Sequence, residues 1–157
     1  MDKIEYKVSA MQDWNLTASS ILNQTTPPTI FLLTGHLGAG KTTFVQAAAK
    51  ALEIDERVHS PTFNIMNDYT GVFKGESVKV FHIDCYRMKS SDPLLELDFF
   101  DLTDLPFYAF IEWPERTTQN WSDWGVPVYS IAIETEQTET GEIATNRTVT
   151  VNSYKNR

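Results

Sequence analysis

Alternating blocks of apolar and polar residues predict a chain of strands and helices. Residues 29–34 are a short, β-branched apolar run, which is typical of a buried strand. Residues 43–52 follow with good helix formers that share one apolar face. Residues 77–84 alternate and residues 107–112 are mostly apolar, and both runs end in an acid, which predicts two further strands. Strands and a helix in this order indicate the α/β class.

Less regular patterns complete the predicted fold. The further elements that we expect are an edge strand over 4–8, a helix over 13–22, a strand over 64–69, a turn over 70–76, a short helix over 92–100 and a closing hairpin over 126–134 and 145–152. The sequence therefore predicts one α/β domain over residues 1–157. Its sheet is expected to be mixed but mostly parallel, flanked by helices, with a C-terminal antiparallel hairpin.

Composition narrows the function classes. The chain has 157 residues, a formal net charge of −8 and no run of Lys or Arg, which argues against a broad nucleic-acid surface. Such a protein is expected to meet nucleic acid only through a partner. No apolar run is long enough to span a membrane, the first residues resemble neither a signal nor a transit peptide, and Cys85 is the only cysteine. We therefore expect a cytoplasmic protein without membrane association.

Residues 35–42 match the phosphate-binding pattern G-x-x-x-x-G-K-[ST], between a predicted strand and a predicted helix. The predicted α/β domain is therefore similar to the phosphate-loop NTPases. Glycines there let the backbone point N–H groups at an anion, and the helix start adds the positive end of its dipole. Lys41 is expected to reach the β- and γ-phosphates of a bound nucleotide, and the Thr42 hydroxyl to ligate Mg²⁺. The residues predicted to bind the nucleotide in this loop are Gly35, Leu37, Gly38, Ala39, Gly40, Lys41, Thr42 and Thr43. For Thr43 the alternative is a side chain that only packs.

Two acids at strand ends are the candidates to complete a phosphoryl-transfer site. Ligands of open α/β sheets bind at the carboxyl ends of the strands. Asp84 ends one predicted strand as a Walker B aspartate does, and Glu112 ends another. Asp84 could hold Mg²⁺ directly or through water, whereas Glu112 could ligate Mg²⁺ or position the attacking water, and the sequence leaves the direct ligand open. Lys41, Asp84 and Glu112 are therefore the predicted catalytic residues, and Thr42, Asp84 and Glu112 the predicted metal ligands.

Other polar residues carry weaker signals. A hydroxyl in the segment 60–62 could sense the γ-phosphate as a switch does, although a proline-containing turn explains this segment equally well. The histidines at 36, 59 and 82 lack metal-ligand spacing. Cys85 is interpreted as a small buried apolar residue, because no positive group is fixed beside it in the sequence.

Four segments, taken in order, resemble the bacterial TsaE (YjeE) family, the small ATPase of tRNA threonylcarbamoyladenosine modification. They are the phosphate loop at 35–43, Ser-Pro-Thr-Phe at 60–63, His-Ile-Asp-Cys-Tyr-Arg at 82–87 and Ile-Glu-Trp-Pro-Glu-Arg at 111–116. Many families share the phosphate loop, but the segment H-x-D-x-Y-R followed by I-E-W is far more specific. The resemblance covers nearly the whole chain.

The resemblance implies an ATP-binding and ATP-hydrolysing accessory protein that works with TsaB and TsaD. That pair transfers threonylcarbamoyl to the tRNA adenosine next to the anticodon, and the TsaE protein supports turnover without performing the transfer. It would meet tRNA only indirectly, through the complex. Matched by position, the family adds Thr62 as a switch residue, Trp113 beside the nucleotide, Met11 near ATP and Arg147 as a further contact. His36 stands where the family usually has an acid.

Three other classes of protein could also contain this phosphate loop. A small-molecule kinase needs an acceptor pocket and usually an arginine-bearing lid, whereas the five arginines of this chain form no cluster. A GTPase needs an Asn-Lys-x-Asp segment to recognise guanine, and the chain has none. A non-catalytic, nucleotide-gated binding module would bind Mg·ATP without turnover. The ATPase resembling TsaE is the preferred interpretation because its motifs are the most specific.

Overall fold

Seven strands form one sheet in the structure, a computed structural model that describes residues 3–61, 66–86, 99–117, 120–137 and 143–154. The strands are β1 (Ile4–Val8), β2 (Thr29–Thr34), β3 (Met66–Phe73), β4 (Glu76–Asp84), β5 (Phe107–Glu112), β6 (Val128–Gln137) and β7 (Ile143–Ser153). Their order across the sheet is β1-β7-β6-β2-β5-β4-β3. The predicted edge strand and the C-terminal antiparallel hairpin are therefore present, as β1 and as β6 with β7.

Parallel pairing in the centre of the sheet places the two strand-end acids side by side. β2 lies between β5 and β6, and β4 pairs with β5, and all three of these pairings are parallel. The carboxyl ends of β2, β4 and β5 therefore meet at one edge of the sheet. Within the register, Glu112 pairs with Leu33 on one side and with Asp84 on the other. Both acids consequently lie where the chain leaves β2 for the phosphate loop.

The expectation of a mostly parallel sheet was wrong. Three pairings are parallel, but the other three, β1 with β7, β7 with β6 and β4 with β3, are antiparallel, and the last two have the longest registers. The physical reason is that both sides of the parallel centre are extended by hairpins, which need only short connections. The sheet is therefore mixed, with antiparallel pairing on both outer sides.

The two longer helices lie on the same face of the sheet. The helix α1 (Met11–Asn23) packs against α2 (Lys41–Ala51), and buried residues of both join one apolar cluster with the sheet. The opposite face is covered in the described residues by a 3₁₀ helix at Trp121–Trp124. The sheet flanked by helices that the sequence predicts is therefore not confirmed: within the described residues, α1 and α2 share one face and a short 3₁₀ helix lies on the other. No helix in the described part of the chain is long and apolar enough to cross a membrane.

Aromatic side chains seat α2 on the sheet. Phe31 of β2 stacks on Phe110 of β5 with ring centroids 5.3 Å apart, and Phe44 of α2 meets Phe110 edge-on at 6.2 Å. All three rings are fully buried, and burying each contributes about 1.5–3 kcal/mol. The start of α2 is consequently fixed above the ends of β2 and β5.

Some predicted boundaries differ from the structure. β3 continues through most of the predicted 70–76 turn, and the actual turn is formed by Lys74 and Gly75, both with positive φ. Gly71 fits inside the strand because a Cβ there would lie 2.5 Å from the Leu52 carbonyl oxygen, so a close approach explains the residue. A short helix α3 occupies Phe99–Leu102, and residues 92–98 of the predicted 92–100 helix lie outside the described residues.

Candidate nucleotide site

The phosphate loop connects β2 to α2 and depends on glycine at its close contacts. Gly40 precedes α2 with φ 120°, and a Cβ there would lie 2.7 Å from the Trp14 ring. A Cβ on Gly35 would lie 2.6 Å from the Ile133 carbonyl oxygen. The loop is therefore held between α1 and β6, and only glycine fits at these two positions. The first N–H groups of α2 face the space that an anion would occupy.

Lys41 places its ammonium group inside the loop. Its Nζ atom donates to the carbonyl oxygens of Gly35, at 2.5 Å, and of His36, at 2.9 Å. The same atom lies 4.1 Å from the centre of the Trp113 ring, a cation–π contact. Burial lowers the pKa of Lys41, and the nearby Glu112 is the first of three acids that oppose this effect. An incoming phosphate would offer this cation a stronger, charged partner than the two carbonyls.

Thr42 and Glu112 join the phosphate loop to the end of β5. The Thr42 Oγ1 atom lies 3.1 Å from each carboxylate oxygen of Glu112 and 2.8 Å from the Ser60 hydroxyl. Glu112 is only 3% exposed. Three oxygen-bearing side chains therefore converge at the start of α2, and hard oxygen ligands of this kind suit Mg²⁺.

Behind Glu112 lies His82, which is completely buried on β4. The His82 Nε2 atom is 2.5 Å from Glu112 Oε2. The ring's other nitrogen, Nδ1, is buried and has no hydrogen-bond partner among the described residues. The carboxylate of Glu112 is thus contacted by Thr42 in front and by His82 behind.

Asp84 stands beside Glu112 at the end of β4 and is the more exposed of the two acids. Its Oδ1 atom accepts the Tyr86 backbone N–H at 2.9 Å, which fixes the turn after the strand. Burial raises the pKa of Asp84, and the Glu112 charge adds to this effect, whereas the Tyr86 hydrogen bond, His82 and Lys41 oppose it. Asp84 is therefore a carboxylate whose ionised form is disfavoured by its surroundings.

Two aromatic residues, Tyr86 and Trp113, also line the site. Trp113 adopts a left-handed backbone conformation with φ 58°, which turns the chain sharply after Glu112. Its ring lies 4.9 Å from the Tyr86 ring, and the Arg116 guanidinium lies 4.9 Å from the Tyr86 ring centre. Strained backbone of this kind is common at functional sites.

These groups surround a cleft of about 250 Å³. The residues that line it are Leu37, Gly38, Gly40, Lys41, Thr42, Thr43, Ser60, Asp84, Tyr86, Glu112 and Trp113. The cleft combines backbone N–H donors, one cation, two carboxylates and an aromatic surface. Across the described ranges, no group of three or more His, Cys, Asp and Glu side chains could hold a metal ion, so any cation here would depend on Thr42, Asp84 and Glu112.

All but four of the predicted site residues that the structure describes line the cleft, and a fifth, Thr62, is not among the described residues. Ala39 is buried in the loop, and its carbonyl oxygen accepts a 3.0 Å hydrogen bond from Arg147 Nε, so the structure places Arg147 as a support of the loop. Gly35 lies at the base of the loop and accepts from Lys41. Met11 is 61% exposed at the start of α1 and does not line the cleft.

The contacts of His82 and Trp14 were not predicted from the sequence. His82 lies two residues before Asp84 and therefore on the same face of β4. That spacing in the sequence could have indicated that His82 lies near the two acids. Trp14, which packs on Gly40, gave no signal beyond that of an apolar helix residue. Ser60 was considered within its segment, and its hydroxyl lies beside Thr42.

The chain is similar to known proteins over most of its length. The model of the family described as threonylcarbamoyl adenosine biosynthesis protein TsaE matches residues 8–148. The tRNA threonylcarbamoyladenosine biosynthesis protein TsaE of a Nostoc species is 38% identical over 111 residues, which are 68% of this chain and 66% of the relative. The TsaE protein of Treponema pallidum is 28% identical over 138 residues, 88% of this chain and 90% of the relative.

The length of these matches varies. The chain spans about two thirds of the Nostoc relative and 57% of the Synechocystis relative. A crystal structure of YdiB from Bacillus subtilis superposes with a TM-score of 0.65 over 98% of this chain and 87% of that protein, at 20% identity, which supports the fold. With a family match over residues 8–148, the chain belongs to the TsaE family of threonylcarbamoyl adenosine biosynthesis proteins.

Proposed function

We propose that this protein binds ATP with Mg²⁺ in the cleft and hydrolyses it slowly, as an accessory to threonylcarbamoyl transfer. In this proposal TsaB and TsaD perform the transfer to the tRNA adenosine next to the anticodon, and hydrolysis here supports their repeated turnover. One observation carries the ATPase: the Lys41 ammonium, the start of α2 and the Thr42–Glu112 pair face the same cleft. Family membership supports the pathway.

The phosphate loop supplies the binding of the triphosphate. The backbone N–H groups at the start of α2 and the positive end of its dipole favour the phosphate charge. Lys41 donates to two carbonyl oxygens and can exchange them for the β- and γ-phosphates. The Trp113 ring packs on that ammonium, and Lys41 is largely buried. A positive charge in such a partly dry position stabilises phosphoryl transfer strongly.

The oxygen atoms beside Lys41 fit a magnesium ion. Thr42 and Glu112 already share one hydrogen-bonded position, and Asp84 is the adjacent carboxylate. When bound, Mg²⁺ would neutralise charge on the β- and γ-phosphate oxygens. Because Glu112 contacts Thr42, we assign the ligand role first to Glu112. Asp84, the more exposed acid, orients the attacking water and accepts its proton.

Slow hydrolysis by the isolated protein follows from the charges of the cleft. Lys41 is the one cation among the described residues that line it, whereas two carboxylates share the same space. Phosphoryl transfer commonly needs a further cation, often an arginine supplied by a partner. We therefore expect the TsaB–TsaD pair to complete the site. The net charge of −8 fits a protein that meets tRNA only through such a complex.

The test is ATP hydrolysis by the pure protein in Mg²⁺, alone and with TsaB and TsaD from the same source. Slow phosphate release that increases with the pair would support the proposal, and Lys41→Ala should abolish it in both conditions. Release that does not respond to the pair would contradict the accessory role. If the γ-phosphate passed to a small acceptor rather than to water, the protein would be a kinase.

A further inference from the structure

His82 is an unusual residue for its position in the sheet. On the face of β4 that packs toward the helices, Val78 and Val80 are buried apolar residues, and His82 follows at the same spacing with no exposed surface. Burying an imidazole costs free energy unless its polar atoms are satisfied. A third apolar residue would continue the pattern of the strand without this cost.

The contact with Glu112 is the hydrogen bond that the structure gives this ring. A carboxylate can only accept, so the ring carries its proton on Nε2 and donates to Glu112 Oε2. Nδ1 has no partner within the described ranges, whereas a histidine that served packing alone would be expected to satisfy both nitrogens. The residue is therefore best explained by what it does to Glu112.

The effect of the contact is to fix how the carboxylate is turned. Glu112 is held at Oε2 by His82 from behind, and both of its oxygens lie 3.1 Å from the Thr42 hydroxyl in front. Rotation about the last side-chain bond would break the contact with His82. The carboxylate consequently presents its oxygens toward the cleft before any ligand arrives.

We propose that His82 is a positioning residue that orients Glu112 for the magnesium ion of the nucleotide. This inference rests on the function proposed above and assigns a role to a residue outside the phosphate loop and its acids. Residues that hydrogen-bond metal ligands typically change metal affinity about 10–100-fold when they are replaced. The expected effect is therefore on the Mg²⁺ requirement for ATP binding and not on the binding of nucleotide without the metal.

Two amide variants of His82 separate this role from a structural one. The side-chain nitrogen of glutamine is as many bonds from the backbone as Nε2 and can donate to Glu112, whereas the nitrogen of asparagine corresponds to Nδ1 and falls short. The measurement is the Mg²⁺ concentration that gives half-maximal binding of ATP, by titration calorimetry, with a parallel series in EDTA. We expect H82N to raise this concentration about 10–100-fold and H82Q to stay within about threefold of the parent.

Tyr108→Phe is the matched control. It removes a 3.0 Å buried hydrogen bond to Thr25 from the opposite end of β5, the strand that carries Glu112. This variant should lower the denaturation midpoint and leave the Mg²⁺ requirement unchanged. Thermal unfolding of every variant establishes that it is folded, and His82→Leu replaces H82N if the latter does not fold.

The outcomes distinguish this inference from the proposed function. If the parent shows no Mg²⁺-dependent ATP binding, both are wrong. If the parent binds but H82N, or His82→Leu in its place, keeps the same Mg²⁺ requirement, His82 has no positioning role and the ATPase proposal stands. A loss of equal size in H82N and H82Q would also reject the role, because rescue depends on the donor. In a Glu112→Gln background, replacing His82 should have no further effect on the Mg²⁺ requirement.

Discussion

Replacing Gly40 by alanine tests whether the phosphate loop is held by α1. In the structure the Cβ of such an alanine would lie 2.7 Å from Cη2 and 2.8 Å from Cζ2 of Trp14. Trp14 is only 7% exposed and lies in the main apolar cluster, so its ring has little room to retreat. Gly40 also has φ 120° and ψ 17°, a backbone conformation that residues other than glycine rarely adopt.

The two effects set the size of the destabilisation. Holding a residue other than glycine in such a backbone conformation costs about 1–3 kcal/mol. Forcing one extra carbon into a packed region costs about 1–3 kcal/mol more. Native domains are stable by roughly 5–15 kcal/mol, so Gly40→Ala should remove a large part of the total.

The assay is urea denaturation followed by tryptophan fluorescence, with Gly38→Ala as the control. Gly38 has φ 81°, but a Cβ there would meet nothing within 4 Å, so this variant carries backbone strain alone, about 1–2 kcal/mol. Gly40→Ala should be less stable than Gly38→Ala by at least about 1 kcal/mol. In a double-mutant cycle, Trp14→Leu should recover at least about 0.5 kcal/mol of the Gly40→Ala cost.

Equal unfolding free energies for Gly40→Ala and Gly38→Ala would refute the contact with Trp14. Additive effects of Gly40→Ala and Trp14→Leu would have the same meaning. In either case the loop would not depend on α1, and the conformation of Gly40 alone would explain the glycine.

Three further predictions concern single side chains. Lys41→Ala should bind ATP at least about tenfold more weakly by calorimetry, because it loses the one cation of the described cleft lining; unchanged affinity would contradict its placement. Burial raises the folded-state pKa of Asp84 above its unfolded value. The contribution of this one group to the free energy of unfolding is therefore largest below the unfolded pKa and is lost as the pH rises through the folded pKa. Asp84→Asn should therefore have a higher thermal midpoint than the parent at pH 7 without nucleotide, a gap that closes near about pH 3, while hydrolysis is lost; a lower midpoint at pH 7 would reject this. Burial raises the pKa of Cys85 to about 12, so a disulfide reagent should label it only as fast as the protein unfolds, and rapid labelling in buffer would show that the thiol is accessible.

The parts of the fold that follow from local patterns were predictable from the sequence. The apolar run of β2, the glycine loop and the helix formers of α2 agree with one another, so pattern, turn chemistry and propensity all indicate the same unit. The strands that end at Asp84 and Glu112 were predictable for the same reason. Their adjacency needed only the rule that parallel strands share a carboxyl edge.

Contacts between distant segments were not predictable in this way. No local pattern indicates that Trp14 lies against Gly40. The spacing of His82 from Asp84 indicates a shared face of β4, but the contact with Glu112 depends on register and packing, as the Trp14 contact does. The antiparallel additions at both sides of the sheet were underestimated for a related reason. The order of the strands depends on how the whole chain is connected, which no single segment shows. In addition, only the first part of β3 could be recognised from its own residues.

The bonds from the C-terminal hairpin to the phosphate loop bear on how the protein is made. Thr135 and Arg147 are register partners on β6 and β7; the Thr135 hydroxyl lies 3.0 Å from His36 Nε2, and Arg147 Nε donates to the Ala39 carbonyl oxygen, 108 residues away in sequence. During synthesis the loop therefore leaves the ribosome long before the strand that holds it. The nascent chain therefore carries the loop sequence early, but the two hydrogen bonds that hold the loop can form only after residue 147 has been synthesised.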